Sequence, residues 1–155
     1  MGSSNTKKAG LLTLAAAAGA TAFFMTGAPS ATAVVPDVFS KFDNAETVVA
    51  GGTKSFTLPL PSGAFFISAK LSPVALGDGE RTIVCELSSN TNFDISTTTI
   101  PSSRFESMAL QLVRTAPSAT TAVLTCSQSG GVGSTELRHI KVTAIRVNSV
   151  SDTPF

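Results

Sequence analysis

Cys85 and Cys126 are the only two cysteines of this chain, and each sits in a stretch where apolar and polar residues alternate: Arg81–Leu87 and Ala122–Cys126. A pair of thiols can serve as a disulfide, a redox couple or part of a metal site. A zinc site needs three or four Cys, His or carboxylate ligands, and the chain has one histidine, His139. A reactive thiol needs an electropositive neighbourhood, and no basic cluster flanks either cysteine. The expectation is therefore a disulfide, Cys85–Cys126, buried among Ile83, Leu87, Ala122 and Leu124. It would join non-adjacent segments of the fold, with forty residues between the two cysteines.

Hydrolytic chemistry would have to pass through His139, oriented by a carboxylate. His139 lies between Arg138 and Lys141, out of phase with Ile140 and Val142, and no Gly-x-Ser-x-Gly occurs. It reads as a solvent-facing strand residue. Asp78, Glu80 and Asp94 lie near turns, where two carboxylates can act as acid and base or bind calcium. Gly77-Asp78-Gly79-Glu80 is more simply a turn, because Asp and Gly tolerate its backbone angles. Gly130-Gly131-Val132-Gly133-Ser134 lacks the Lys-Ser/Thr and following helix of a phosphate-cradling loop. It reads as a flexible hairpin connection. No catalytic residue, metal site or cofactor is expected.

The N-terminus carries an address. Lys7 and Lys8 precede an apolar run from Ala9 to Met25, then Gly27-Ala28-Pro29-Ser30 and Ala31-Thr32-Ala33. That order is the order of a secretory signal peptide, residues 1–33, cleaved between Ala33 and Val34. The run is shorter than the ~20 residues of a spanning helix and is interrupted by Thr13, Gly19 and Thr21. The expected product is secreted, with no membrane attachment after cleavage. It keeps nine basic and ten acidic residues in 122. With no basic cluster, nucleic acid is excluded as a partner, as is a polybasic membrane surface. The chain has no Trp and no Tyr, the residues that most often stack on sugars, so a typical carbohydrate-binding surface is disfavoured; protein interfaces also favour Trp, Tyr and Arg as anchors. Phe66 interrupts the polar face of its segment. It reads as an exposed apolar anchor or as a residue covered by Phe39 and Phe42.

These residues need a scaffold, and the punctuation supplies one. Seven turn signals, from Gly51-Gly52 to Gly130–Ser134, divide eight segments at the spacing of an all-β sandwich or barrel. Phe65, Ile67, Ala69 and Leu71 share one face, as do Ile83, Cys85 and Leu87, and Met108, Leu110 and Leu112. Strict alternation marks half-buried antiparallel strands. Pro59 cannot donate a ladder bond, which places Lys54–Leu60 at an edge. In the last segment Ile140, Val142 and Ala144 are in phase while Ile145 and Val147 are not, so a bulge is expected near Thr143 and Ala144. The organisation expected is a lead-in over 34–45, a β-sandwich over 46–150 and a tail over 151–155. The fold class is all-β: a two-sheet antiparallel sandwich of about eight strands, jelly-roll-like or otherwise Greek key. An immunoglobulin-type domain comes second, since its core Trp and tyrosine corner are missing.

The series Ile67–Leu71, Val84–Leu87, Asp94, Ala109–Gln111, Val123–Cys126 and Val142–Val147 resembles a group of small exported β-sandwich proteins of actinomycete-type bacteria. The resemblance implies a fold and an export route, and it carries no activity. The function expected is that of a secreted non-catalytic protein, either structural or binding a macromolecule or its own copies. A small secreted hydrolase using His139, or a carboxylate pair, is the alternative from another class. A secreted enzyme inhibitor is a third.

Overall fold

Side chains of a strand point alternately to its two faces, so the alternation above dictates sheets with one apolar side. The computed structural model describes residues 37–151. It holds eight strands: β1 (Val38–Val49), β2 (Thr53–Leu60), β3 (Gly63–Leu76), β4 (Arg81–Ser89), β5 (Asn92–Ile100), β6 (Met108–Ala116), β7 (Thr120–Gly130) and β8 (Ser134–Val147). Sheet A has the order β1-β8-β3-β6 and sheet B the order β2-β7-β4-β5. All pairings are antiparallel. This is the jelly-roll form of the expected sandwich. Its pairings are nested: β4 with β5, β3 with β6, β2 with β7, β1 with β8.

The core lies between the sheets. Phe65, Ile67, Ile83, Cys85, Leu87, Leu124 and Cys126 are fully enclosed, each on the face that alternation assigns it. Burying one large apolar side chain stabilises by about 1.5–3 kcal/mol. Cys85 and Cys126 are bonded, and they are directly opposite each other in the β4–β7 register, with Cα atoms 4.1 Å apart. The link therefore joins segments distant in sequence but adjacent within one sheet.

Four further features depart from the sequence reading. The lead-in over 34–45 is largely strand: β1 starts at Val38, and Phe39 packs edge-on against Phe65 at 5.9 Å. Strand β3 continues through Pro73 to Leu76. The Pro73 carbonyl accepts from Glu106 N–H, so the missing donor of Pro73 faces the side where the β6 ladder has ended. The bulge in β8 lies at His139, not at Thr143–Ala144. Ser72 opposes Arg138 and Lys70 opposes Lys141, so β8 carries the extra residue. The buried phase moves there from Thr135 and Leu137 to Ile140, Val142 and Ala144, and Ile145 stays on the outer face. The fourth departure is the Gly130–Ser134 connection, which is packed against Arg81 rather than loose. The signal segment with Ala33 and Val34, and the tail beyond residue 151, lie outside the described residues.

Arg81 is the largest fully buried side chain, although its charge argues for exposure. It continues the inward phase of Ile83 and Cys85 and ends beneath the β3–β4 turn. Its Nη2 donates to the carbonyls of Leu76 (2.7 Å) and Asp78 (3.1 Å), and its Nη1 to those of Gly77 and Gly79. Arg81 makes no ion pair with an acid among the described residues; carbonyl dipoles take that place. Gly131 and Gly133 have φ of 81° and 87°. A Cβ at Gly131 would strike the Glu80 carbonyl oxygen, and one at Gly133 the Arg81 guanidinium. Next to them Gln128 donates to Gly133 O and accepts from the Thr135 hydroxyl.

The sandwich also closes its two open sides with polar side chains. Between the edge strands β5 and β6, Asp94 accepts from Gln111 N–H at 2.8 Å, and Asn92 donates to Val113 O at 3.1 Å. Between the edge strands β1 and β2, Lys54 pairs with Glu46 at 3.0 Å.

Two outcomes follow for stability. Arg81→Ala should lower it by about 2–4 kcal/mol, because a fully buried side chain is truncated and the turn carbonyls of Leu76, Gly77, Asp78 and Gly79 lose their charged donor together. Cys85→Ser with Cys126→Ser should cost ~4 kcal/mol in the chain-entropy account. Urea unfolding of each variant against the parent measures both, and losses under about 1 kcal/mol would contradict them.

Candidate functional site

The strained backbone of β8 draws attention first. His139 has φ +51°, a conformation that non-glycine residues adopt rarely and that costs about 1–2 kcal/mol. Its ring is exposed and lines a shallow hollow with Lys70, Leu71, Ser72, Ser107, Met108 and Ala109. Ser72 and Ser107 are the hydroxyls there, and no carboxylate lines the hollow. The base-and-acid arrangement of a hydrolase is not assembled around His139.

The carboxylates considered as a pair are separated. Asp78 and Glu80 are exposed in the β3–β4 turn. Asp94 opposes Leu87, whereas Arg81, next to Glu80, opposes Ile100. Six strand residues put Asp94 roughly 20 Å from that turn, well beyond the ~5–9.5 Å of an acid–base carboxylate pair. Asp94 is also occupied by the Gln111 N–H. Among the described residues, no three His, Cys, Asp or Glu groups converge on a metal position.

The outer face of sheet A is more informative. The registers of β1, β8, β3 and β6 line up its outward side chains in rows. One row is apolar: Val38, Ile145, Phe66 and Val113. Phe66 is half-buried within this row and is not covered by Phe39 or Phe42. The next row is hydroxylated: Ser40, Thr143, Ser68 and Gln111, with Ser40 and Thr143 in hydrogen-bond contact at 3.3 Å. The third reads Phe42, Lys141, Lys70, Ala109. Two lysines thus stand directly opposite each other on neighbouring strands. Like charges in that position repel. Neither is neutralised: the ion pairs among the described residues are Lys54–Glu46, Arg138–Glu136 and Arg146–Asp37.

Because Ala109 is small, the surface falls away beside Lys70. A second hollow, of about 290 Å³, is lined by Ser68, Lys70, Gln111, Lys141 and Thr143. No acid lines it. The other surfaces differ in charge. The cleft between β1 and β2, about 270 Å³, holds Lys41 and Lys54 against Asp43 and Glu46, over Phe56, Ile140 and Val142. The outer face of sheet B is threonine- and serine-rich, and Glu86 is its single charge. Only the sheet A face concentrates charge of one sign.

No family model matches the chain, and no curated protein matches it in sequence. Solved structures resemble it in fold. A crystal structure of dimeric latent PorU from Porphyromonas gingivalis is 14% identical, with a TM-score of 0.50, over 77% of this chain and 14% of that one. The structure of infectious bursal disease virus Gx strain is 14% identical (TM-score 0.47), over 74% of this chain and 32% of that one. The Eiger TNF structure from S. frugiperda is 10% identical (TM-score 0.44), over 77% of this chain and 98% of that one. At such identities the likeness speaks of the β-rich fold alone.

The opposed lysines give a test of the face itself. Lys141→Glu turns a repulsive cross-strand pair into an attractive one and should raise stability by about 0.5–1 kcal/mol. The gain should shrink in high salt, which screens exposed charges. Urea midpoints at low and high ionic strength measure it; an unchanged midpoint at low salt would mean that Lys70 and Lys141 do not face each other.

Proposed function

We propose that the protein is an exported, non-catalytic jelly-roll module that binds a macromolecule through a sheet face. The observation that supports it best is the unneutralised Lys70–Lys141 pair on the outer face of sheet A. Two cations opposed on neighbouring strands repel, and a ligand of opposite charge would relieve that repulsion. The Cys85–Cys126 disulfide suits an oxidising compartment, in keeping with the signal-like residues 1–33. The exposed, acid-free surroundings of His139 favour binding over turnover.

Expression of the full chain in a secreting bacterial host tests this reading. The expected product is a disulfide-bonded protein in the medium whose intact mass begins at Val34. It should show no turnover of ester, peptide or glycoside substrates. Retention inside the cell with residues 1–33 attached would overturn the export reading. Turnover that disappears in His139→Ala would replace the binding module with a hydrolase.

A further inference from the structure

We infer that the outer face of sheet A is a binding site for an acidic polysaccharide, whose anionic group sits on Lys70 and Lys141. This rests on the proposed binding function and names its partner.

Two neighbouring rows of this face carry groups that suit a sugar acid. Lys70 and Lys141, exposed and opposed on neighbouring strands, bring two ammonium groups to one carboxylate, sulfate or phosphate ester. Flanking them are Ser68, Gln111 and Thr143 on one side and Ser72 and Ser107 on the other. These side chains donate and accept hydrogen bonds, as ring hydroxyls require. Phe42 stands beside Lys141 in register and is 75% exposed. It offers the electron-rich face of an aromatic ring to the C–H face of a sugar. The chain has no Trp or Tyr for that purpose; Phe42 is the aromatic side chain in register with the lysine row, and it also borders the cleft between β1 and β2. Rows two residues apart along a strand are roughly 7 Å apart, so the face spans more than one sugar ring.

The bulge residue borders the same site. The extra residue in β8 places His139 beside Lys70, in the hollow that holds Ser72 and Ser107. Arg138, the next cation, is neutralised by Glu136, which confines the uncompensated charge to the Lys70–Lys141 row. Two such lysines are too few for the many phosphate contacts of nucleic acid and for a polybasic membrane surface. They suffice for a ligand that carries one charge per repeating unit and many hydroxyls.

The experiment uses the mature disulfide-bonded protein and titration calorimetry at low salt. The probes are polygalacturonate, a carboxylate polymer; dextran sulfate; a phosphorylated dextran; and neutral dextran. Binding of one or more acidic polymers but not neutral dextran is expected, and the preferred polymer identifies the anionic group. Lys70→Gln with Lys141→Gln should weaken it at least tenfold while the melting temperature rises slightly, since the repulsion between the two lysines is removed. Phe42→Ala should weaken it several-fold while leaving the salt dependence intact. No binding of any acidic polymer, equal binding of neutral dextran, or full binding by the double variant each overturns the inference. Equally tight binding of duplex DNA or of phosphatidylserine vesicles overturns it too, since the face would then be a general cation patch. Such a failure leaves the exported, non-catalytic reading standing, because that reading is decided by the mature mass and the turnover assays.

Discussion

A sandwich of two open sheets has four strand edges, and each edge presents unpaired backbone groups that invite another chain. The disposal of these edges governs much of this molecule. Along one side Asp94 and Asn92 of β5 reach across to the backbone of β6. Along the other, Lys54 of β2 reaches Glu46 of β1. Both devices need polar side chains on the face that should be apolar. That is why β5 carries Asn92, Asp94, Ser96 and Thr98 inward while Phe93 and Ile95 point to solvent. What looks like a weakly amphipathic strand is a strand whose inner face serves as a clasp.

The ends of the sandwich are closed by arginines. At one end Arg81 gathers the carbonyls of the β3–β4 turn, and Gly131 and Gly133 fit against it because they lack side chains. At the other end Arg146 lies over the Phe65 ring at 5.6 Å, pairs with Asp37 and donates to Ser62 O. With sides and ends committed to structure, the two broad faces remain for contact. One is a hydroxylated surface with a single charge. The other collects the opposed lysines, and the strained His139 lies within it.

Alternation is a local property, so the sequence reading reaches the strands, their buried faces, the edge position of β2 and the disulfide. Nothing local reveals which strands are neighbours. Lys70 and Lys141 lie far apart in the chain, and only the β3–β8 register brings them face to face. The same limit conceals the adjacency of β4 and β7, which turns a presumed long-range link into a cross-strand one. Arg81 was in phase with Ile83 and Cys85, but burial of an arginine depends on carbonyls supplied by a turn, and no periodicity encodes that. The change of parity at Ile145 points to a bulge near Thr143 and Ala144. The true change falls at His139, because Thr135 and Leu137 had already set the opposite phase. Ile145 keeps the outward phase and joins the apolar row.

The nested pairings carry a consequence for how such a chain reaches its shape. The β4–β5 hairpin closes across a two-residue gap, whereas β1 and β8 meet across most of the domain. Loop-closure entropy rises only slowly with length, and successive nested pairs alternate between the two sheets. Assembly by non-local strand pairing is slow, on the order of milliseconds to seconds. Taken by the length of chain they enclose, the pairs run from β4–β5 through β3–β6 and β2–β7 to β1–β8. A thiol pair in β4 and β7 lies at the middle of that sequence. Once oxidised, it fixes the β4–β7 register across the whole of β5 and β6.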